Sequence, residues 1–230
     1  MFPFFFDPTM LLLIPAVLFA GWAQMKVSST FNRFSQVTTR RGLTAGQVAR
    51  ELLNGFGLSS VRIEHVSGSL TDHYDPRTRV LALSDSVYGS ASIAAIGVAA
   101  HEVGHAVQHG VGYEPLALRN GIAPVAGVVS NVALPLFFIG FLFQGAFLMN
   151  LGIFLFLGVL AFQLITLPVE YNASSRAIAM LERTGDLSAD ELGGAKQVLS
   201  AAALTYVGAT LMAALQLVRL LLLRNSRSRN

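Results

Sequence analysis

Apolar residues in this chain fall into four long runs separated by stretches of mixed polarity. Residues 10–25, MLLLIPAVLFAGWAQM, form the first. Residues 122–149 form the second, residues 151–167, LGIFLFLGVLAFQLITL, the third, and residues 201–223 the fourth. Each is close to the roughly 20 residues an α-helix needs to cross the hydrocarbon core of a bilayer. The second and third runs carry no charge and are linked through GAFLMN, which predicts a tight helical hairpin. The pattern changes between the first and second runs. Thr44 and Gln47 have capping-box spacing. They open a helix through AGQVARELLNGFG, with Val48, Leu52, Leu53 and Phe56 on one face and Gly55 or Gly57 as the stop. VRIEHV, residues 61–66, alternates as a half-buried strand does. SLTDHY reads as a second strand, DPRT (75–78) as a turn and RVLALS as a third strand. A helix is then predicted from about Ser92 to His109, ending near Gly110. After the third run, PVEYNASSRAIAMLERTG reads as a separate helix closed by Thr184 and Gly185. Ser188 and Glu191 form a second capping-box pattern that opens the last helix.

Composition turns this pattern into a placement. Hydrophobic residues make up 53% of the 230 residues and charged residues only 13%. Four apolar runs leave too little polar chain to cover them in water, so the expected surroundings are a lipid bilayer. The first run lacks a basic leader and a small-residue cleavage site, and is expected to stay as an anchor. The chain has no cysteine, which removes disulfides, iron–sulfur clusters and thiolate metal sites. The net charge is +3 and the arginines are scattered, so nucleic acid is not an expected partner. Nine Lys and Arg residues lie between Lys26 and Arg119, and none precedes the first run or joins the second to the third. The positive-inside rule then puts the polar stretch 26–121 in the cytoplasm. Arg224, Arg227 and Arg229 oppose that placement if the fourth run crosses fully.

Three of the five histidines fall within AAHEVGHAVQHG, residues 99–110. On a helix, His101 and His105 stack on one face and can turn both imidazoles toward one ion. Neutral imidazole suits Zn²⁺, which takes nitrogen ligands at about 2.0–2.1 Å in a tetrahedron. Glu102 stands beside that face, where a carboxylate can take a proton from a metal-activated water attacking a peptide carbonyl. His109 lies about 12 Å from His101 along the axis, too far to share the ion, and is left to the rim of the site or to polar surface. A third protein ligand must come from elsewhere. His65, His73, Glu114, on a loop after the helix, and Glu170 are candidates. Glu170 is favoured because the hairpin returns it to the surface from which it leaves.

HEVGH followed by two spans and LPVEYNAS resembles the membrane zinc metallopeptidases of the gluzincin clan, and most closely the YugP-type neutral zinc metallopeptidases of bacteria. DHYDP, LALSDSVY and GVAAHEVGHAVQH carry the resemblance over nearly the whole chain. More distantly the chain is similar to HtpX-type and CaaX prenyl proteases. The resemblance implies a mainly α membrane protein, with about four transmembrane helices and a small α+β zincin-like catalytic domain. Its segments would be an anchor (1–25), a catalytic part (26–121), a transmembrane hairpin (122–168), a helix bearing the third ligand (169–199), and a last membrane helix with a basic tail (200–230). It implies one Zn²⁺ held by His101, His105 and Glu170, with Glu102 as general base, in a multi-pass protein of the bacterial inner membrane. HtpX-type relatives carry Asp four residues after the ligand Glu. Here Ser174 stands there, so Ser174, with Asn172 sharing the task, is expected to orient His101. The resemblance also implies that the strand before the active helix, through Leu81, Ala82 and Leu83, offers an edge to an extended peptide or protein substrate, membrane proteins among them.

Two other classes fit parts of the sequence. A site-2-type intramembrane protease would set the motif inside a spanning helix, but only SIAAIGVAA precedes His101 and no later span carries an Asp-Gly pair. A non-enzymatic membrane scaffold would have no need of Glu102.

Overall fold

The computed structural model describes residues 7–227. After a 3₁₀ turn at Pro8–Leu13 the elements are α1 (Ile14–Ser35), α2 (Ala45–Gly55), β1 (Arg62–Val66), β2 (His73–Asp75), β3 (Val80–Ser84), α3 (Ile93–Gly110), α4 (Glu114–Leu142), α5 (Ala146–Thr184) and α6 (Ala189–Arg227). The protein is thus mainly α with one small sheet. Four helical segments, Pro8–Ser35, Glu114–Leu142, Ala146–Thr184 and Ala189–Arg227, are long and apolar enough to cross a membrane. The chain forms two compact units, each built from separate segments. One takes residues up to Ala23, Leu118–Leu167 and Leu204 onward; the other takes Gln24–Ala117 and Pro168–Ala203. Segments 26–121 and 169–199, separate along the sequence, therefore contribute to one unit.

The first unit is helical. Its buried cluster includes Ala133 and Phe137 of α4, Met149, Phe156 and Val159 of α5, and Leu220 of α6. Gly152 lets α5 close on α4, since a Cβ there would sit 2.7 Å from the Phe137 Cβ. Large apolar side chains such as Val125, Phe147 and Phe154 stay exposed, as suits a surface whose solvent is lipid. The hairpin turn falls at residues 143–145, ahead of most of the expected GAFLMN link, with Gln144 at φ 60° and Gly145 N–H donating to the Gly140 carbonyl. From Leu204 to Arg227, α6 rises about 36 Å, enough for a full crossing. Its buried Arg219 pairs with Asp7 at 2.7 Å. Of the expected basic tail, Arg227 packs over the Phe141 ring and Arg229 lies outside the described residues.

The second unit holds the sheet. β3 is its middle strand, parallel to β1 and antiparallel to β2. Every β3 residue is buried, so the run of apolar side chains packs on both faces as a central strand must. Leu81 and Leu83 join Val48, Leu52 and Leu53 of α2, Ile96 and Val103 of α3, and Leu181 of α5 in one core. Thr44 caps α2 with both arms of the capping box closed. At the start of α6 only one arm is seen: Glu191 Oε2 accepts the Ser188 N–H, while Oε1 accepts the Arg40 N–H. β2 is shorter than the strand read from SLTDHY and begins at His73. The expected separate helix at 168–184 is instead the continuation of α5, which runs unbroken through Pro168. Proline removes one backbone donor but keeps a helical φ, and burial of Val169, Ala173 and Ala177 on one face holds the helix through it.

Candidate metal centre

α3 starts where the Ser92 side chain accepts the Ala95 N–H, and its residues from Ile93 to Gln108 are nearly all buried. The small residues of GVAAHEVGHA let two helices approach closely. Gly97 faces Ala195 of α6, and Gly104 faces Ala173 of α5. The second approach is extreme, because a Cβ on Gly104 would stand 2.6 Å from the Ala173 carbonyl oxygen. Any side chain inside HEVGH at that position would push α5 away.

That contact sets what α5 presents to α3. Glu170, three residues before Ala173, turns its carboxylate between the two histidines. Glu170 Oε2 lies 3.2 Å from His101 Nε2 and 3.5 Å from His105 Nε2. The rings stand nearly perpendicular, at 86°, with centroids 4.8 Å apart. Three ligand atoms, one from each residue, lie within 4.8 Å of one another. Ligands at about 2.0–2.1 Å around a tetrahedral zinc are about 3.3 Å apart, so this donor set fits that ion. Glu170 is 3% exposed, and a buried carboxylate needs a cation or protonated partner. The remaining ring nitrogens face protein groups. His101 Nδ1 is 3.1 Å from Ser174 Oγ, and His105 Nδ1 is 3.0 Å from Gln108 Oε1. Both Nε2 atoms therefore point to the common centre. Burial alone would lower the pKa of His105. The hydrogen bond from the ring to Glu170 and the charges of Glu102 and Glu170 outweigh it and hold the ring above its ordinary value. Glu102 is also buried, on α3 next to His101.

Among the described residues, the other candidate third ligands lie apart from this group. His65 pairs with Asp85 at 2.7 Å, His73 Nδ1 meets the Thr71 carbonyl, and Glu114 opens α4 rather than lying on a loop. His109 Nδ1 bonds the Tyr74 hydroxyl at 2.8 Å. Asn172 is not joined to His101; its Oδ1 meets Gln108 and Arg176. Leu81, Ala82 and Leu83 do not form an edge. β3 is paired on both sides, and beyond β2 the Ser84 N–H is taken by Asp72. Free edges belong to β1 and β2. The reason is topological: β2 folds back on β3, while β1 covers its other side.

Two residues of the centre escaped the sequence reading. Gln108 is fully buried and joins His105 to the Val169 carbonyl and Asn172 of α5. Its only signal in the sequence was a polar side chain three positions after a ligand, on the same helical face. Gly104 gave no signal beyond its place in a helix.

Residues 9–225 match the family described as "Putative neutral zinc metallopeptidase". The chain is 48% identical over 221 residues to "Putative membrane protease YugP" of Bacillus subtilis (strain 168), covering 95% of this chain and 98% of that one. No solved structure matches the chain. By the span of the family match and the identity to that relative, the chain belongs to the neutral zinc metallopeptidase family.

Proposed function

We propose that the protein is a zinc-dependent endopeptidase of the bacterial inner membrane. The observation that carries this reading is the buried His101–His105–Glu170 group, with Glu102 beside it on the same helix. A zinc ion held there would supply Lewis acidity, polarising a peptide carbonyl and making water a better nucleophile. Glu102 takes the proton of the attacking water and delivers it to the leaving amine. Ser174 holds the His101 ring. The extended substrate pairs with the free edge of β2, whose Tyr74 packs toward α3 through His109; β-strand addition of this kind recognises backbone and tolerates varied side chains. Unfolded or membrane-derived polypeptides suit such an edge. The nine Lys and Arg residues of 26–121 outnumber the opposing Arg224, Arg227 and Arg229 of the tail, and this balance supports a cytoplasmic catalytic unit. The intramembrane alternative finds no matching observation, since α3 is not among the four membrane-length helices.

The test uses the full chain purified in detergent. Metal content is measured, and cleavage of casein is followed with and without a chelator. Glu102→Gln should keep its zinc and lose cleavage by about 10²–10⁴-fold, the usual share of a general base. Equal cleavage by that variant, or a wild-type protein that takes up no zinc, would end this reading.

A further inference from the structure

Gln108 sits in a set of hydrogen bonds whose direction is set by one obligate acceptor, the Val169 carbonyl, and one obligate donor, Arg176. Arg176 Nε carries a hydrogen and has no lone pair to offer. It lies 2.7 Å from the Asn172 side chain, so the Asn172 atom there must be the oxygen, Oδ1. That oxygen also lies 2.9 Å from the Gln108 amide, and the same Gln108 atom is 2.9 Å from the Val169 carbonyl. A carbonyl only accepts. Two acceptors on one atom make it the amide nitrogen, Nε2. The other end of Gln108 must then be Oε1, an acceptor, 3.0 Å from His105 Nδ1. Gln108 is 0% exposed, so no bulk water can take over either role.

We propose that Gln108, oriented by the Val169 carbonyl and by Arg176 through Asn172, fixes the tautomer of His105 with its hydrogen on Nδ1, leaving the Nε2 lone pair turned to the metal centre. Gln108 is then a positioning residue, and this rests on the metal reading of His101, His105 and Glu170. The opposite tautomer would set the Nδ1 and Oε1 lone pairs against each other in a dry site. The relay also ties His105 on α3 to the turn of α5 that bears Glu170, so one set of bonds governs both the ring's tautomer and its distance from the carboxylate. His101 is held differently. Its Nδ1 faces Ser174, whose hydroxyl can donate or accept, and its Nε2 lies 3.2 Å from Glu170 Oε2, so its tautomer follows what occupies the centre. A neutral amide therefore stands where many metal-bound histidines have a carboxylate or backbone carbonyl.

The test measures tautomer and zinc affinity separately. In the detergent-solubilised, metal-free wild type with ¹⁵N-labelled histidine, at a pH where both rings are neutral, His105 should show its hydrogen on Nδ1. Gln108→Leu, of similar volume, removes the acceptor; Arg176→Met, at the partly exposed far end, removes one of the two groups that orient Gln108. Gln108→Leu should weaken zinc binding, measured against a chelator, by about 10–100-fold. Arg176→Met, which leaves the Val169 carbonyl on Gln108, should weaken it less and keep the His105 hydrogen on Nδ1. The wild-type nitrogen spectrum serves if Gln108→Leu does not fold, as judged by circular dichroism. A wild-type His105 carrying its hydrogen on Nε2 overturns the relay. So does a folded Gln108→Leu that binds zinc as tightly as the wild type. A wild type that binds no zinc overturns the metal reading instead, and the nitrogen spectrum still decides the relay.

Discussion

Replacing Gly104 by Ala adds one methyl group where α3 and α5 touch, and the structure sets the size of the effect. The new Cβ would meet the Ala173 carbonyl oxygen at 2.6 Å, whereas carbon and its neighbours settle at about 3.5 Å. The neighbour is helix backbone, so α5 must move by about 0.9 Å. Glu170 moves with it, because it lies less than one turn from Ala173. Its separations from His101 and His105, now 3.2 and 3.5 Å, would grow to about 4 Å, beyond the spacing of about 3.3 Å that zinc asks of its ligands. Overpacking of this kind costs about 1–3 kcal/mol, which corresponds to about 5- to 150-fold in zinc affinity if it falls on the loaded site. Gly97→Ala is the control on the same helix. Its Cβ meets the Ala195 Cβ at an ordinary 3.5 Å, and alanine is the better helix former by about 1 kcal/mol. Chelator competition for zinc and thermal unfolding should be measured on both variants. Gly97→Ala should bind zinc as the wild type does and unfold no earlier. If Gly104→Ala also matches the wild type in both, the close approach of α5 does not set the ligand geometry.

Further outcomes follow from the same structure. Zinc affinity should rise with pH through a range above the ordinary histidine value, because zinc needs neutral His105 and Glu170 and Glu102 hold its proton to higher pH. Below that range affinity should fall by about tenfold per pH unit for each proton displaced, and an affinity flat across it would refute the point. Ser174→Ala should weaken zinc binding by about 10-fold through loss of the His101 Nδ1 partner, read in the same competition assay. Arg41→Met should destabilise the metal-free protein by about 1–3 kcal/mol in denaturant unfolding, because it strips the cation from the buried Asp186 carboxylate. Asp186→Asn in that background should recover part of the loss, and if it deepens the loss instead, Arg41 is not the partner that matters.

What the sequence determined by itself is what local spacing determines. The four apolar runs of membrane length are contiguous in the chain, and the Thr44–Gln47 box that opens α2 and the stacking of His101 and His105 one turn apart depend on residues within four positions of one another. Helical geometry makes such relations a property of the segment, whatever surrounds it. Tertiary structure decided the rest. Among four side chains able to complete the metal group, packing of Gly104 against Ala173 brought Glu170 to the histidines and left His65, His73 and Glu114 elsewhere. The resemblance implied an edge at β3, and nothing in its sequence neighbours could correct that; β1 and β2 enclose it. Pro168 read as a helix start, yet buried contacts on either side carry α5 through it. Gln108 read as one more polar residue near a helix end. Its role depends on the Val169 carbonyl and Asn172, more than sixty positions away, and only folding brings these two acceptors to its amide nitrogen and so turns its oxygen to His105.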